Sequence, residues 1–473
     1  MMSSNQHTVR DATSGYLLVL VLVFGAIFFM IVTSFTTFII TQSKLVALKV
    51  EQESAGQIAE AGLSYYKWRL AHYPNDLTNG TGVPGPYVGV YSDPEGTAIG
   101  EYSLSIASTT YCGDVASLDV TSVGYTYKAP TVKRTISARY ARPTVAEYSY
   151  ILNSNVWVGP DAQIIGPYHS NGGIRMDGTN NSVVTSGQTN WSCTPSFGCN
   201  PTTAQNGVFT TTANAVTSLF EFPSAPINFA GITVNLANIQ NKAQNNGGQY
   251  FGPSGKSGYH IIFNANGTYE VRLVNGKVNE PNGYAWGQQM NILNGTTLIG
   301  TYPISAACPV IYVEDQVWLE GVVNGKVTLA VADVDTSGVD PSIILNNNIT
   351  YATATSGILA ISEYDILIGL EVPNDMILNG IFIAQTGRFG RNLYDTSMPN
   401  AWETYILRNS LTMTGTIVSN GRVGTRWVDG NGVYISGFNN RYNSYDRNLV
   451  ANPPPLVPVT SDVYKFSEWR DAN

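Results

Sequence analysis

The feature that most constrains this chain is an uncharged run near its start. From Tyr16 to Thr41, 26 consecutive residues carry no charged side chain. A helix that crosses a membrane needs about 20 apolar residues, whereas the apolar region of a signal peptide has about 7–15. At ~1.5 Å per residue the run spans ~39 Å, which exceeds the ~30 Å of hydrocarbon in a bilayer. The run therefore predicts a membrane-spanning helix.

Such a run has three fates: removal as a signal peptide, service as a permanent anchor, or packing into an assembly. A cleaved signal peptide has a basic start and small residues at its end. Here Arg10 is offset by Asp11, and no A-x-A site stands directly at the end of the run. These flanks disfavour a signal peptide and leave the anchor and the assembly helix open.

The helix is predicted to continue beyond the membrane, because no proline occurs before Pro74. A helix over residues 16–72 would extend ~85 Å. Glu60 and Lys67 lie away from the apolar face of its second half. That face is predicted to consist of Ile58, Gly62, Tyr65 and Tyr66. The second half is therefore expected to pack on a soluble domain.

A family resemblance is carried by the residues that flank the apolar run. A short polar leader ends in Gly15, the aromatic Tyr16 follows, and the helix continues into the sequence AEAGL at residues 59–63. This arrangement resembles the start of type IV prepilins, most closely the PilX-type minor pilins. The resemblance covers roughly residues 8–75.

The resemblance implies processing and partners. In that family a prepilin peptidase cuts after the glycine, which here implies a cut between Gly15 and Tyr16. The implied partners are the membrane, other pilin-like subunits and the pilus-assembly machinery. Major pilins carry Glu at the fifth mature position, where this chain has Leu20. PilX-type proteins often lack this Glu, so the resemblance implies a minor component.

The composition of the chain indicates β structure after the helix. Only 12% of residues are charged, and the chain has 46 Gly and 28 Tyr, which is typical of β structure with many turns. The net charge of −8 disfavours a nucleic-acid partner, because such proteins need a basic face. Residues 73–145 contain three stretches that alternate apolar and polar residues. They predict a small antiparallel sheet.

A repeat begins after residue 146. GPYHSNGGI (166–174), GIFIAQTGRF (380–389) and GTIVSNGRV (415–423) share a leading Gly, a short strand, an Asn or Gln, and a second Gly. In a β-solenoid each rung reuses the same corner, where Gly adopts positive φ and Asn bonds to the backbone or to a neighbouring Asn. The repeat predicts a parallel β-helix or similar β-solenoid, with an irregular β-sandwich as the alternative.

The predicted fold class is therefore α+β: a long membrane helix, a small antiparallel sheet domain, and a mostly β head with insertions. In the insertion we expect a helix at about Val234–Ala243 and a hairpin with Asn266-Gly267 as its turn. The predicted parts are a leader at 1–15, a helix at 16–72 with 16–41 in the membrane, a sheet domain at 73–145, a β-solenoid head at 146–430 with an insertion at about 190–305, and a Pro-rich segment at 431–473.

The four cysteines predict disulfides. Cys193 and Cys199 bracket the sequence CTPSFGC, with Pro and Gly between them. A zinc knuckle more often has two residues between its ligands and a second matching pair, so a disulfide-closed loop is favoured. Cys112 and Cys308 then remain as a candidate long-range pair. This use of cysteine fits an exported, oxidising location.

One segment predicts a cation site. In DVDTSGVD, Asp333, Asp335 and Ser337 alternate as in the opening of a calcium-binding loop. An EF-hand would need Glu at position twelve, where the chain has Ile344, and Asp340 could replace it. The segment predicts calcium binding, against a plain polar turn as the default. No other cofactor is predicted.

An enzymatic alternative must also be considered, because β-solenoids host many polysaccharide-cleaving enzymes. Asp161, His169, Arg175 and Asp177 lie within one or two predicted rungs. Asp177, however, lies in the turn-like MDGTNNS, and His169 takes the position of Ile or Val in other repeats. Structural roles are favoured, and no catalytic residue is predicted.

The residues and the resemblance give one functional expectation. The chain is predicted to be a structural or adhesive surface protein, anchored in a bacterial cell membrane by one helix, with an extracytoplasmic head. The resemblance implies a minor pilin or pilus-assembly component. The exposed faces of the head are expected to bind a surface carbohydrate or protein. The alternative is an anchored lyase or hydrolase acting on polysaccharide. A face lined by Asn, Thr and Tyr would favour binding, whereas two carboxylates within about 10 Å in a cleft would favour the enzyme.

Overall fold

A long helix, α1, runs from Thr13 to His72. It ends just before Pro74 because the residue that precedes a proline is disfavoured in helical conformation. This computed structural model describes residues 13–74, 76–229, 235–278, 290–334, 341–395, 400–461 and 463–471.

The remaining helices of the described chain are short. They are α2 (Leu236–Asn245), α3 (Asn400–Glu403) and α4 (Arg447–Ala451), with 3-10 turns at Val145–Glu147, Pro195–Phe197 and Thr217–Leu219. Asn235 caps α2 by accepting a hydrogen bond from the backbone N–H of Asn238. The predicted helix at about Val234–Ala243 is thus found two residues later, and Val234 lies outside the described residues.

The strands follow in chain order. They are β1 (Tyr87–Ser92), β2 (Ala98–Tyr111), β3 (Asp114–Thr126), β4 (Lys133–Ala141), β5 (Tyr150–Leu152), β6 (Val156–Val158), β7 (Ala162–Ile165), β8 (Tyr168–Ser170), β9 (Ile174–Met176), β10 (Thr179–Asn180), β11 (Val184–Ser186), β12 (Asn190–Cys193), β13 (Thr203–Asn206), β14 (Val208–Phe209), β15 (Phe220–Glu221), β16 (Gln249–Phe251), β17 (Tyr259–Asn264), β18 (Thr268–Val274), β19 (Thr296–Pro303), β20 (Val310–Val313), β21 (Val317–Val323), β22 (Lys326–Val331), β23 (Ile343–Tyr351), β24 (Gly357–Ser362), β25 (Ile366–Ile368), β26 (Asp375–Ala384), β27 (Phe389–Arg391), β28 (Leu407–Ser419), β29 (Arg426–Val428), β30 (Tyr434–Ser444) and β31 (Lys465–Asp471). The chain is thus an α+β protein with a long apolar helix and a large β-rich region.

The described chain divides into two compact units. The first contains α1 and the residues up to Ile106, with Val120–Ala138 and the chain end from Trp469. The second contains Ala107–Asp119 and Arg139–Glu468. A five-stranded sheet has the order β1-β2-β3-β4-β31, so the predicted stretches at 98–141 form strands as expected. The sequence did not indicate that the end of the chain would add a fifth strand.

In the first unit the second half of α1 packs on strands of this sheet. Ile58, Gly62 and Tyr66 are buried and Tyr65 is half-buried, whereas Glu60 and Lys67 are exposed. This agrees with the predicted apolar face. Glycines bring the two backbones into contact. A Cβ on Gly124 would lie 2.3 Å from the carbonyl oxygen of Ala55, so a larger residue there would force the helix and sheet apart.

In the second unit most strands belong to three parallel ladders. The first ladder has the order β15-β11-β8-β5-β28-β26-β24-β22-β20-β16. The second has the order β10-β7-β30-β28-β26-β23-β21. The third has the order β17-β21-β23-β25-β27, and β6-β9-β14 form a separate parallel sheet. The longer strands β21, β23, β26 and β28 each contribute to two ladders.

The strand order in the first ladder does not follow the chain. β5, the first strand of this region, pairs in parallel with β28, with Leu152 opposite Ser419. From β5 the chain moves away through β8, β11 and β15, and then crosses to β16 at the opposite end of the ladder. It returns through β20, β22, β24 and β26 to β28. Strands from the beginning and the end of the region therefore meet in the middle of the ladder.

Two apolar layers lie on either side of the first ladder. The inner layer draws side chains from all three ladders, for example Phe382, Ile366 and Met413. The outer layer contains alternate residues of the same strands, such as Ile383, and is covered by the crossing segment, including Ile239 of α2, and by Leu449 of α4. Because both faces are buried, these strands consist of nearly continuous apolar residues.

The repeat glycines occupy left-handed positions in the ladders. Gly166, Gly380 and Gly415 have φ of 109°, 152° and 139°, a region that favours glycine. The approach is closest at Gly415, where a Cβ would lie 1.8 Å from the carbonyl oxygen of Gly380. The Asn side chains at these corners form hydrogen bonds with one another, as expected. Asn153 donates to Asn420 and accepts from Asn171, both at 2.8 Å.

Two predicted boundaries differ from the structure. Part of the predicted insertion at 190–305 lies in the ladders, since β16 and β17 pair in parallel with β20 and β21. The hairpin with its turn at Asn266-Gly267 is present, formed by β17 and β18. The ladders also continue past residue 430, because β30 pairs with β28 and β7. The Asp429–Gly432 turn between β29 and β30 resembles a boundary in the sequence but connects two paired strands.

The Pro-rich segment is packed rather than free. Pro453, Pro454 and Pro455 are buried, and the Thr328 hydroxyl donates a hydrogen bond to the Pro455 carbonyl oxygen at 2.5 Å. Phe466 contacts the ring of Tyr140, with 4.5 Å between ring centroids. Trp469 is more than half exposed.

Candidate functional site

The first half of α1 presents apolar side chains that no described part of the protein covers. Between Tyr16 and Val50 the large apolar side chains are exposed. In the described chain, α1 is the one helix long and apolar enough to cross a membrane, with a mean hydropathy of 2.8 in its most apolar window. The hydroxyls of Thr33, Thr37 and Thr41 donate to carbonyl oxygens one turn earlier. These polar groups are therefore satisfied within the helix, as lipid requires.

The predicted processing site lies at the edge of the described residues. Gly15 and Tyr16 both belong to α1, and Tyr16 is exposed. Residues 1–12 of the predicted leader lie outside the described residues. Leu20, at the position of the pilin Glu, is exposed on the helix surface. Cleavage between Gly15 and Tyr16 stays a prediction.

Asp161, a candidate acid in the enzymatic alternative, is held by two arginines. Arg441 donates to both carboxylate oxygens, at 2.7 and 2.9 Å, and Arg426 donates to one of them at 2.7 Å. Burial on its own raises the pKa of Asp161, but the hydrogen bonds and charges of the two arginines lower it overall. This arrangement keeps the carboxylate ionised and links β30 to the turn before β7.

Asp177 and Arg175 anchor a disulfide-closed loop. The Asp177 carboxylate accepts hydrogen bonds from Trp157 Nε1 at 2.8 Å, Arg175 Nε at 2.7 Å and the backbone N–H of Thr211 at 2.9 Å. Arg175 Nη1 also donates to the carbonyl oxygen of Phe197 at 2.9 Å. The pair thus fixes the loop between Cys193 and Cys199.

The guanidinium of Arg422 holds the same loop from another side. It lies 4.4 Å from the centroid of the Phe197 ring, and its Nη2 donates to the Ser196 carbonyl oxygen at 2.8 Å. Cys193 and Cys199 form a disulfide, and so do Cys112 and Cys308. No free cysteine remains among the described residues.

His169 is buried within the first ladder. Its ring Nδ1 lies 2.8 Å from Thr185 Oγ1 and its Nε2 lies 2.9 Å from Asn171 Oδ1. In register it lies beside Ile151, which lies beside Val418. Val418 lies beside Ile383, so His169 occupies the position that Ile and Val take in the other repeats, as the sequence predicts. Burial lowers the pKa of His169, so the ring is neutral at pH 7.

This burial predicts a pH dependence of stability. The unfolded chain binds a proton at His169 at a higher pH than the folded chain, so stability is fully present above the unfolded pKa and falls as pH drops below about 6.5. We expect His169→Gln to reduce the loss of unfolding free energy between pH 7.5 and pH 5. Denaturant titrations of both proteins at the two pH values measure this loss. An equal acid dependence of both proteins would contradict the prediction.

The predicted calcium segment is largely outside the described residues. Asp335, Ser337 and Asp340 fall there, while the backbone N–H of Asp333 donates to the Glu363 carboxylate at 2.7 Å. Within the described ranges, no group of three or more His, Cys, Asp or Glu side chains could hold a metal ion. Calcium binding through Asp333 and its neighbours stays a prediction.

Two buried arginines were not anticipated from the sequence. Arg391 is fully buried, and its guanidinium donates to the carbonyl oxygens of Gly369, Leu370, Tyr405 and Ile406. Burial lowers its pKa to about 10, so it remains charged at pH 7. Arg408 donates to the Tyr405 and Val372 carbonyl oxygens. Both side chains join turns that are distant in sequence through hydrogen bonds to their carbonyl oxygens. The sequence around Arg391 and Arg408 has no pattern that indicates burial.

A small cavity lies near the long-range disulfide, but it has no room for a sugar. Its volume is about 10 Å³, which corresponds to one water molecule. Tyr269, Cys308 and Val327 are among its lining residues. This cavity therefore cannot hold a ligand larger than a water molecule.

Comparison with known proteins gives limited guidance. No protein-family model matches the chain, and no curated protein sequence matches it. Among solved structures, the chain is similar to the competence-associated pilin ComZ from Thermus thermophilus. The sequence identity is 13%, the TM-score is 0.29, and the alignment covers 89% of this chain and 97% of that chain. A TM-score of 0.29 is too low to establish a shared fold.

Proposed function

We propose that this protein is a membrane-anchored, exported structural protein that enters or helps to build a pilus-like assembly, as a minor pilin does. The observation that carries the proposal is the length of exposed apolar surface on α1. Exposed apolar side chains fill α1 from Tyr16 to Ile40 and recur between Leu45 and Val50, among Lys44 and Lys49. The whole span is about 52 Å along the helix axis. A bilayer covers about 30 Å of it. The remaining ~20 Å would need apolar cover from other subunits, which a plain anchor does not supply.

We further infer that the β-rich region is a β-solenoid head, and that the sheet domain and head face outward. Three parallel ladders with a shared apolar core, positive-φ glycines at the repeat corners and stacked Asn support this inference. A β-sandwich would pair its strands mainly antiparallel. The two disulfides support an oxidising location.

The processing step can be tested directly. We expect the mature protein to begin at Tyr16, and Gly15→Val to retain the leader, because the peptidase of the resembled family cuts after Gly. Amino-terminal sequencing of protein purified from membranes measures this. Gly25→Val is the matched control: a Cβ on Gly25 meets nothing within 4 Å, so processing should be unchanged. An intact leader in the wild-type protein would favour the plain anchor.

A further inference from the structure

The outer faces of the three ladders differ in what covers them. The outer face of the first ladder is covered by apolar side chains of α2 and α4. On the third ladder, Trp318, Ile344 and Leu367 form an apolar cluster with Val274, and Leu293 packs against it. The five strands at one end of the second ladder, from β10 to β26, have exposed side chains on their outer face. Parallel sheets normally have both faces covered, so this open face is unusual.

The open face carries two rows of side chains in register. The first row runs across adjacent strands through Ile377, Thr412, Tyr442, Gln163 and Thr179. It faces outward because the alternate residues of these strands, such as Met376 and Met413, belong to the inner core. Since adjacent strands lie ~4.8 Å apart, the row is about 19 Å long.

The second row lies two residues further along the same strands. It consists of Asn379, Thr414, Ser444 and Ile165. The two rows are about 6.7 Å apart, the length of two residues in a strand. Together they form an array of hydroxyl, amide and apolar groups, and none of these side chains is charged. The adjoining row, two residues before the first, has one charged side chain, the exposed Asp375, beside Ser410 and Asn440. Soluble surfaces usually mix Lys, Arg, Glu and Asp into such a face.

From this chemistry we infer that the outer face of the second ladder binds an extended, uncharged polysaccharide. Thr, Ser, Asn and Gln side chains both donate and accept hydrogen bonds, which matches the hydroxyl groups of neutral sugars. Tyr442, in the middle of the first row, is 40% exposed and offers a ring on which the apolar side of a sugar packs. An anionic ligand would find no positive charge in either row. This inference rests on the proposal above that the head faces outward from the membrane, and it adds the class of ligand that the head binds.

The test uses the full chain in lipid nanodiscs on an array of immobilised polysaccharides. The uncharged probes are β-glucan, mannan and galactan, and the anionic probes are alginate and polygalacturonate. We expect binding to at least one uncharged probe and to neither anionic one. Tyr442→Ala and Thr412→Glu should each weaken that binding at least tenfold. Tyr364→Ala removes a Tyr of similar exposure, 43%, outside the second ladder, and should leave binding unchanged.

Several outcomes would overturn the inference. These are binding to no uncharged probe, preference for the anionic probes, or equal loss in Tyr364→Ala and Tyr442→Ala. Self-association of nanodisc-bound protein that Tyr442→Ala abolishes, with no polysaccharide bound, would instead assign the face to a second copy of this chain. Unchanged melting temperatures of the variants exclude misfolding as the cause of a loss. Amino-terminal sequencing tests the proposed pilin-like role separately from polysaccharide binding. An intact leader would count against the pilin-like role and leave the array result unaffected.

Discussion

Replacement of Cys112 and Cys308 by serine is expected to lower the free energy of unfolding of the second unit by about 5 kcal/mol. The disulfide joins residues 196 positions apart, and a cross-link that closes so long a loop strongly restricts the unfolded chain. Its surroundings in the folded state are also well ordered. Lys242 donates to the Cys112 carbonyl oxygen at 3.1 Å and forms an ion pair with Asp114 at 2.9 Å. Denaturant unfolding of the full chain in detergent, under non-reducing conditions, measures the loss.

The second disulfide is the matched control. Cys193 and Cys199 are six positions apart, and the same chain-entropy relation gives a loss of about 2 kcal/mol for their replacement by serine. Equal losses for the two pairs, or a larger loss for the short loop, would contradict the chain-entropy explanation. The loop between Cys193 and Cys199 would then depend on its disulfide for packing rather than for loop closure.

Arg391→Met is expected to destabilise the β-rich region by at least about 4 kcal/mol. The change leaves the carbonyl oxygens of Gly369, Leu370, Tyr405 and Ile406 without their donor, and each buried unsatisfied acceptor costs about 1–3 kcal/mol. Arg391→Lys should recover part of the loss, since an ammonium group has three donors and no planar fork. Thermal and denaturant unfolding of the three proteins measure these differences.

Arg272→Met is the control for the loss of a positive charge. Arg272 is partly exposed and pairs with Glu270 at 3.0 Å on the same strand, so its removal should cost less than about 1 kcal/mol. If Arg391→Met were as mild as Arg272→Met, the carbonyl contacts of Arg391 would contribute little. The turns at 369–370 and 405–406 would then be held by their apolar neighbours alone.

The sequence predicted the elements whose cause is local. The uncharged run and the first proline after it define α1, because apolar length and proline act within one segment. The repeat glycines and Asn predicted recurring corners, since positive φ and Asn stacking are properties of single positions. The comparison of repeats was sufficient to assign His169 to the row of Val418. This position also predicted that His169 is a buried strand residue, which the structure confirms.

Features that depend on distant pairing were not predicted. Nothing near Leu152 indicates that its neighbour is Ser419. The sequence around Arg391 likewise does not indicate that its acceptors come from residues 369–370 and 405–406. Asp161 was considered as a catalytic acid because the sequence around it does not reveal its ion-pair partners. These partners, Arg426 and Arg441, are more than 260 residues away. The ladder strands within 190–305 and after residue 430 were missed for the same reason, since polar turns within a ladder resemble the ends of domains.

The strand order in the first ladder has a consequence for biogenesis. β5 to β15 emerge first during synthesis, yet the strand against which β5 pairs, β28, is made more than 250 residues later. At about 5–20 residues per second, the open edge of β5 waits at least ~13 s for its partner. Contacts of such high sequence separation form slowly and leave aggregation-prone edges exposed. A chaperone that shields the early strands would therefore increase the yield of folded protein, whereas a truncation before β28 would leave them unpaired.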